Sequence, residues 1–271
     1  MLVKLTVRQW DGFKKDRRVS AEIDTVFQTE GNAGNYNKRL LDKSVLSPIQ
    51  RAIYRLRADH KFYTIPWCYD GVDLLPSKLY FDYTESIRKH KDLVGAAVDN
   101  LVQQYPVHRA NQAKKLGNMF DPQDYPAQDE LRTRFDVSTL FFPVPQEGHF
   151  VVDLEAKEAG KIKQDLTRIL AEAQGTALTQ LYTRVMSMLE HLHERLADPG
   201  NVFRDSLIEN LASLAEVLPG LNIFEDERLA KAARAINDVA YVNPAQLRED
   251  PELRARIAQR TQDIYNSLKG D

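Results

Sequence analysis

A chain of 271 residues with 43% hydrophobic residues, 37 Lys+Arg and 39 Asp+Glu has the length to bury a substantial core, and its ordinary composition excludes bulk disorder and collagen-like architecture. No stretch approaches the roughly 20 apolar residues that span a bilayer, and Met1-Leu2-Val3-Lys4 leads into alternation rather than a signal-peptide run, so a cytoplasmic chain with no membrane partner is expected. Cys68 is the single cysteine, which rules out an intramolecular disulfide and a cysteine zinc site.

Val3, Leu5 and Val7 alternate with Lys4, Thr6 and Arg8, the period-2 pattern of a half-buried strand. Trp10 and the basic cluster Lys14-Lys15-Asp16-Arg17-Arg18 follow, then a short helix over Val19 to Gln28 that Gly31 and Gly34 end. Ser47-Pro48 reads as an N-cap with proline at the first helical position, and Ile49, Ile53 and Leu56 carry the helix to about His60, with Arg51 and Arg55 on its exposed side. An aromatic-rich stretch from Phe62 to Tyr83 includes Trp67 and packs against a core or offers a stacking platform. Helix resumes from about Ser77 to Gln104, stops near Pro106 and restarts through Lys115 before Gly117. Val137 to Phe142 and Phe150 to Leu154 are strand candidates joined by Pro145-Gln146-Glu147-Gly148.

Beyond Leu154 the chain reads as helix. Apolar residues at Ile162, Leu166, Ile169, Ala173, Ala177, Leu181, Val185, Met188, Leu192 and Leu196 recur at a mean step of about 3.8, longer than the 3.5 of a heptad coiled coil. One amphipathic helix over 154–197 would run about 65 Å, with Gly160 and Gly175 costing about 1 kcal/mol each relative to alanine. Leu181, Val185, Met188 and Leu192 are therefore candidates for an oligomer interface, and a homo-oligomer is expected. Asp198-Pro199-Gly200 stops this helix, and shorter helices cover Val202 to Val217, Glu225 to Ala240 and Pro251 to Leu268. The expected fold class is α+β, predominantly helical: a basic-headed mixed region over 1–153 with a small sheet, then a helical region over 154–271 built on one long helix.

Charge is uneven. Residues 1–60 hold 12 Lys/Arg against 7 Asp/Glu, a basic head on an otherwise acidic chain. Lys14, Lys15, Arg17, Arg18, Arg51 and Arg55 are candidate phosphate contacts, and Trp10 and Trp67 candidate stacking rings, for a single-stranded nucleic acid.

Chemistry-bearing motifs fail on inspection. Glu190 and His193 share a helix face as in a di-iron bundle, but no second Glu-x-x-His exists, so no metal is expected. Gly160-Lys161 is preceded at P-loop spacing by Glu155 and followed by Ile162, which excludes that nucleotide site. Cys68 lies between Trp67 and Tyr69 as a small hydrophobe, no Gly-x-Ser-x-Gly elbow occurs, and His149 with Asp153 lacks a third member. The acids at Asp121, Asp124, Asp129 and Glu130 crowd around Pro122 and Pro126 as turn residues. Neither an enzyme nor a cofactor is expected.

Several stretches carry a resemblance: Trp10-Asp11-Gly12-Phe13-Lys14-Lys15-Asp16, Asn35-Tyr36-Asn37-Lys38-Arg39-Leu40, Thr64-Ile65-Pro66-Trp67 with Asp70-Gly71, Leu116-Gly117 leading to Phe120-Asp121-Pro122 and Asp124-Tyr125-Pro126, and Phe142-Pro143-Val144-Pro145. Together, over about residues 2–155, they resemble a family of proteins carried by tailed bacteriophages and integrative mobile elements. The resemblance implies a bacterial host cell and gene neighbours encoding a MoxR-like AAA+ ATPase and a von Willebrand A-type protein. It implies no catalytic residues. Two functions follow as expectations: single-strand binding in phage replication or recombination, or an adaptor that engages the AAA+ ATPase or another phage protein.

Overall fold

The computed structural model describes residues 1–31, 33–67, 70–145 and 156–269. The α+β, predominantly helical class expected from the sequence is what it contains. The alternation at the start forms strand β1 (Leu2–Arg8). Its first residues pair antiparallel with β5 (Asp73–Leu74) in the register Leu2↔Leu74 and Val3↔Asp73, and β5 pairs in turn with β4 (Ile65–Pro66). With β6 (Asp136–Phe142), the expected strand, the sheet order is β4-β5-β1-β6. The second strand candidate, Phe150 to Leu154, lies outside the described residues, as do Cys68, His149 and Asp153.

Contacts divide the chain into two units that do not follow the expected boundary at 153/154. The first comprises Met1–Lys4, Lys61–Tyr83 and Leu140–Asp271, the second Leu5–His60 and Thr84–Thr139. Each of the four crossings falls inside a strand or helix: β1, α2 (Lys43–Tyr63), α3 (Tyr80–Leu116) and β6. Composition shifts mark flexible linkers, and this chain crosses without them. The second unit holds 19 Lys/Arg against 15 Asp/Glu, a balance of +4, and the first 18 against 24, or −6.

In the first unit, α5 (Ala156–Ala197) is one unbroken helix through Gly160 and Gly175. Ala173, Ala177, Leu181, Val185, Leu189, Leu192 and Leu196 are buried, a stripe whose step of about 3.8 matches the sequence, with Leu189 in the place expected for Met188, which is half-buried. The stripe is covered within the chain: α5 packs on α9 (Pro251–Lys269) and on α6 (Ser206–Leu221). Helix α7 (Glu227–Ala240) packs on both α6 and α9, and α8 (Pro244–Glu249), which periodicity missed, packs on α9. Burial of Leu181, Val185 and Leu192 therefore calls for no second copy.

The second unit is centred on α2 and α3. Leu46, Ile49 and Ile53 of α2 meet Val94, Val98, Leu101 and Tyr105 of α3, with Leu40, Leu41, Tyr125 and Leu131 closing the core. Two prolines thought to bound these helices lie inside them. Helix α2 starts at Lys43, where the Asp42 backbone carbonyl accepts from the Val45 N–H (3.0 Å), a turn ahead of Ser47-Pro48. Helix α3 runs through Pro106, and the Val102 carbonyl, which proline leaves without its helical donor, is taken by the side chain of Gln128. No described helix is long and apolar enough to cross a membrane.

Candidate nucleic-acid interface

The basic cluster is built into a two-stranded ribbon and the helix that follows it. Asp11 Oδ1 accepts from the Phe13 N–H (3.0 Å), and Gly12 turns the chain at φ +71°, where a Cβ would also lie 2.8 Å from Leu46 Cδ1. Strand β2 (Phe13–Lys15) then pairs antiparallel with β3 (Asn37–Arg39), placing Phe13 opposite Arg39, Lys14 opposite Lys38 and Lys15 opposite Asn37. Asp16 ends the strand and caps α1 (Arg17–Val26), its Oδ1 accepting from the Val19 N–H at 3.2 Å.

Lysines facing each other across a ribbon repel, and here two carboxylates hold them. Lys38, only 5% exposed, donates to Asp124, to Asp16 Oδ2 (3.2 Å) and to the Met119 carbonyl (2.9 Å), which occupies its three N–H groups. Lys14 reaches the other oxygen of Asp124 at 2.6 Å. Burial pushes the Asp124 carboxyl up, and the bonds from Lys14 and Lys38 more than reverse this, leaving it below its ordinary range. Asp16 is lowered first by its bond from Val19 and further by Lys38. Burial draws the Lys38 ammonium down, but Asp124 and Asp16 carry it above its ordinary value. Asp124, read from the sequence as a turn residue, is thus the centre of a buried ion network.

That network divides the predicted cations. Lys14 is committed to Asp124, and Arg18 reaches Glu22 at 3.9 Å, an exposed i,i+4 contact worth little. Lys15 and Arg17 are exposed and, among the described residues, make no ion pair. Arg17 and Arg18 occupy the first turn of α1, where the helix dipole disfavours cations and adds to the local positive field. Arg39 stacks over the exposed ring of Phe13, 4.6 Å from its centroid.

On α2, Arg51 and Arg55 are exposed as expected, without a carboxylate partner among the described residues. Between them stands Tyr54, 75% exposed, with Arg57 one turn further on. Residues 51, 54 and 55 are spaced i, i+3 and i+4 and share one helix face. Tyr54 was legible from the sequence, because it follows Ile53 of the buried stripe and so points away from the core.

The tryptophans do not take the expected role. Trp67 is buried at 8% exposure in the first unit and presents no open face, and among the described residues its indole N–H has no partner. Trp10 is half-buried against the second unit's core, edge-on to Tyr105 with centroids 6.5 Å apart. Tryptophan supplies burial first, and the exposed rings of this unit are Tyr54, Phe13, Tyr36 and Phe27.

Two polar clusters resemble catalytic sets without forming one. Asp59 on α2 accepts from Ser86 and contacts His90 Nε2 (3.0 Å) through the same oxygen, Oδ2. Among the described residues no hydrogen bond joins Ser86 to His90, so no nucleophile faces a base. His193 Nδ1 sits 3.0 Å from the Ala258 carbonyl and ties α5 to α9, while Glu190 is exposed. Among the described residues no group of three or more His, Cys, Asp or Glu is placed to hold a metal ion.

No family model, curated protein or solved structure matches this chain.

Proposed function

We propose that the protein binds single-stranded nucleic acid without catalysis, in phage or mobile-element replication or recombination in the cytoplasm of a bacterial host. The observation that carries this reading is Tyr54, an exposed ring set among Arg51, Arg55 and Arg57, which make no ion pair among the described residues. A base stacks on such a ring whatever its identity, and the guanidinium groups meet phosphates beside it. The +4 balance of the second unit, and the exposed cations Lys15 and Arg17, which make no ion pair among the described residues, favour a polyanion. The phage setting rests on the motif resemblance alone.

The test is a polarisation titration of labelled oligo-dT with the full chain at several salt concentrations. Affinity falls with salt, with a log-log slope of about −0.7 per neutralised phosphate. Tyr54→Ala weakens binding with little change of slope, whereas Arg51→Ala with Arg55→Ala flattens it. Absence of binding by the parent at low salt removes the reading.

One feature favours the adaptor reading. Helix α1 has no buried residue, and Ile23, Val26 and Phe27 are 41%, 72% and 72% exposed. A protein partner such as an AAA+ ATPase would cover that face, and Val26→Ser with Phe27→Ser would then abolish partner binding while leaving oligo-dT binding intact.

A further inference from the structure

Within the first unit, α5 carries an arginine on the flank of its buried stripe that, among the described residues, meets no carboxylate. Arg184 stands between Leu181 and Val185, its guanidinium stacked over Phe62 at 5.2 Å and its Nη1 donating to the Lys61 carbonyl at 3.2 Å. Lys61 lies in the last turn of α2, whose final carbonyls lack helical donors, so this bond is a C-terminal cap favoured by the helix dipole. A cap of this kind uses one of the five N–H donors of a guanidinium.

The rest of the fork is unaccounted for. Among the described residues no carboxylate lies within ion-pair distance of Arg184, and burial draws its pKa below the ordinary arginine value. A guanidinium held partly out of water without a counter-ion is costly, and capping one carbonyl does not offset that cost. Arg184 also lines a cavity of about 260 Å³. Lys61 adds a second cation to its wall, Ile65, Pro66 and Leu181 supply apolar surface, and Asp73 adds one negative charge.

We infer that this cavity is a binding site for a small organic acid, whose carboxylate sits on the open fork of Arg184 beside Lys61 and whose apolar body rests on Ile65, Pro66 and Leu181. The planar fork matches a carboxylate bidentately, and the stack on Phe62 fixes it before the ligand arrives. The volume accommodates a body of several carbons, and the apolar wall rewards one over a bare ion.

The experiment titrates the full chain calorimetrically with hexanoate, with hexanamide, which has the same body without the charge, and with inorganic phosphate, which has the charge without the body. Hexanoate binds saturably, and hexanamide and phosphate each bind at least about tenfold more weakly. Arg184→Gln weakens hexanoate by about tenfold or more. Arg184→Lys keeps a charge and a donor for the Lys61 carbonyl but loses the fork, so it weakens hexanoate as well and serves as the test if the glutamine variant fails to fold. No saturable hexanoate binding, equal binding of hexanamide, or unchanged affinity in the Arg184 variants overturns the site. Phosphate binding as tightly as hexanoate overturns the organic-acid assignment in favour of a bare oxyanion.

Discussion

Gln128 Nε2 stands 2.7 Å from the Val102 carbonyl oxygen, in the place of the N–H that Pro106 lacks. One side chain from the turn after α3 thereby lets the helix run through a proline. The relationship predicts coupling. Gln128→Ala leaves that carbonyl to water and costs about 0.5–1.5 kcal/mol. In a Pro106→Ala background, where the alanine N–H bonds Val102 itself, the same change costs close to nothing. Urea unfolding of the four proteins gives the cycle, and purely additive effects would show that Gln128 does not compensate the proline.

A second prediction concerns the far end of α5. Arg254 of α9, 7% exposed, donates to the carbonyls of Arg195 (2.8 Å), Leu196 (3.0 Å), Asp198 (2.6 Å) and Asn201 (2.8 Å). The Arg195 and Leu196 carbonyls end α5 without helical donors, the Asp198 carbonyl also accepts from the Asn201 N–H (3.0 Å), and a cation is favoured at this end of the helix. Arg254→Met removes every donor at once and lowers stability by about 2–4 kcal/mol, with Arg254→Lys recovering part of the loss. An urea midpoint unchanged in the methionine variant would deny Arg254 this role.

The buried lysine network fixes a pH dependence. Asp16 and Asp124 titrate below their ordinary 3.8 in the folded chain, so their contribution is present above that value and is lost as pH falls through the folded pKa. Lys38 titrates above its ordinary 10.5, so its contribution is present below that value and is lost as pH rises through the folded pKa. Lys38→Met strips both carboxylates of a buried partner and costs about 3–5 kcal/mol at neutral pH. It also moves the acid limb of the stability curve to higher pH, because Asp124 retains the burial that raises its pKa and loses one of the lysines that lowered it. Stability measured from pH 3 to 8 checks both effects, and an unshifted acid limb would contradict the network.

The last prediction separates core from interface on α5. Val185 is fully buried inside the single chain, so Val185→Glu places an unpaired charge in the core and abolishes cooperative unfolding rather than splitting an oligomer. Met188→Glu, at a half-buried site, is far milder. Circular dichroism during thermal unfolding distinguishes the two.

Much of this was written in periodicity. The alternation of Val3, Leu5 and Val7, the strand at Val137 to Phe142, the buried stripe of α5 from Ala173 to Leu196 apart from Met188, and the capped start at Asp250-Pro251 each depend on neighbours in sequence, and each holds. What escaped depends on partners remote in sequence. Pro106 reads as a stop until Gln128 is known to stand beside Val102. Asp124 and Lys38 look like a turn residue and a surface lysine until residues 86 positions apart meet. The candidate interface divides the same way: Arg51 and Arg55 follow from a helical stripe, whereas the withdrawal of Lys14 into an ion pair and of Trp67 into the core does not.

The interleaving of the two units sets an order of events at the ribosome. Every residue of the second unit has been synthesised once Thr139 is added, so its core can close while the remainder of the chain is still being made. The first unit includes Met1–Lys4, yet α5 and the helices that cover it come after Thr139, so that unit is completed only when they are made. The nascent chain thus completes its second unit before its first.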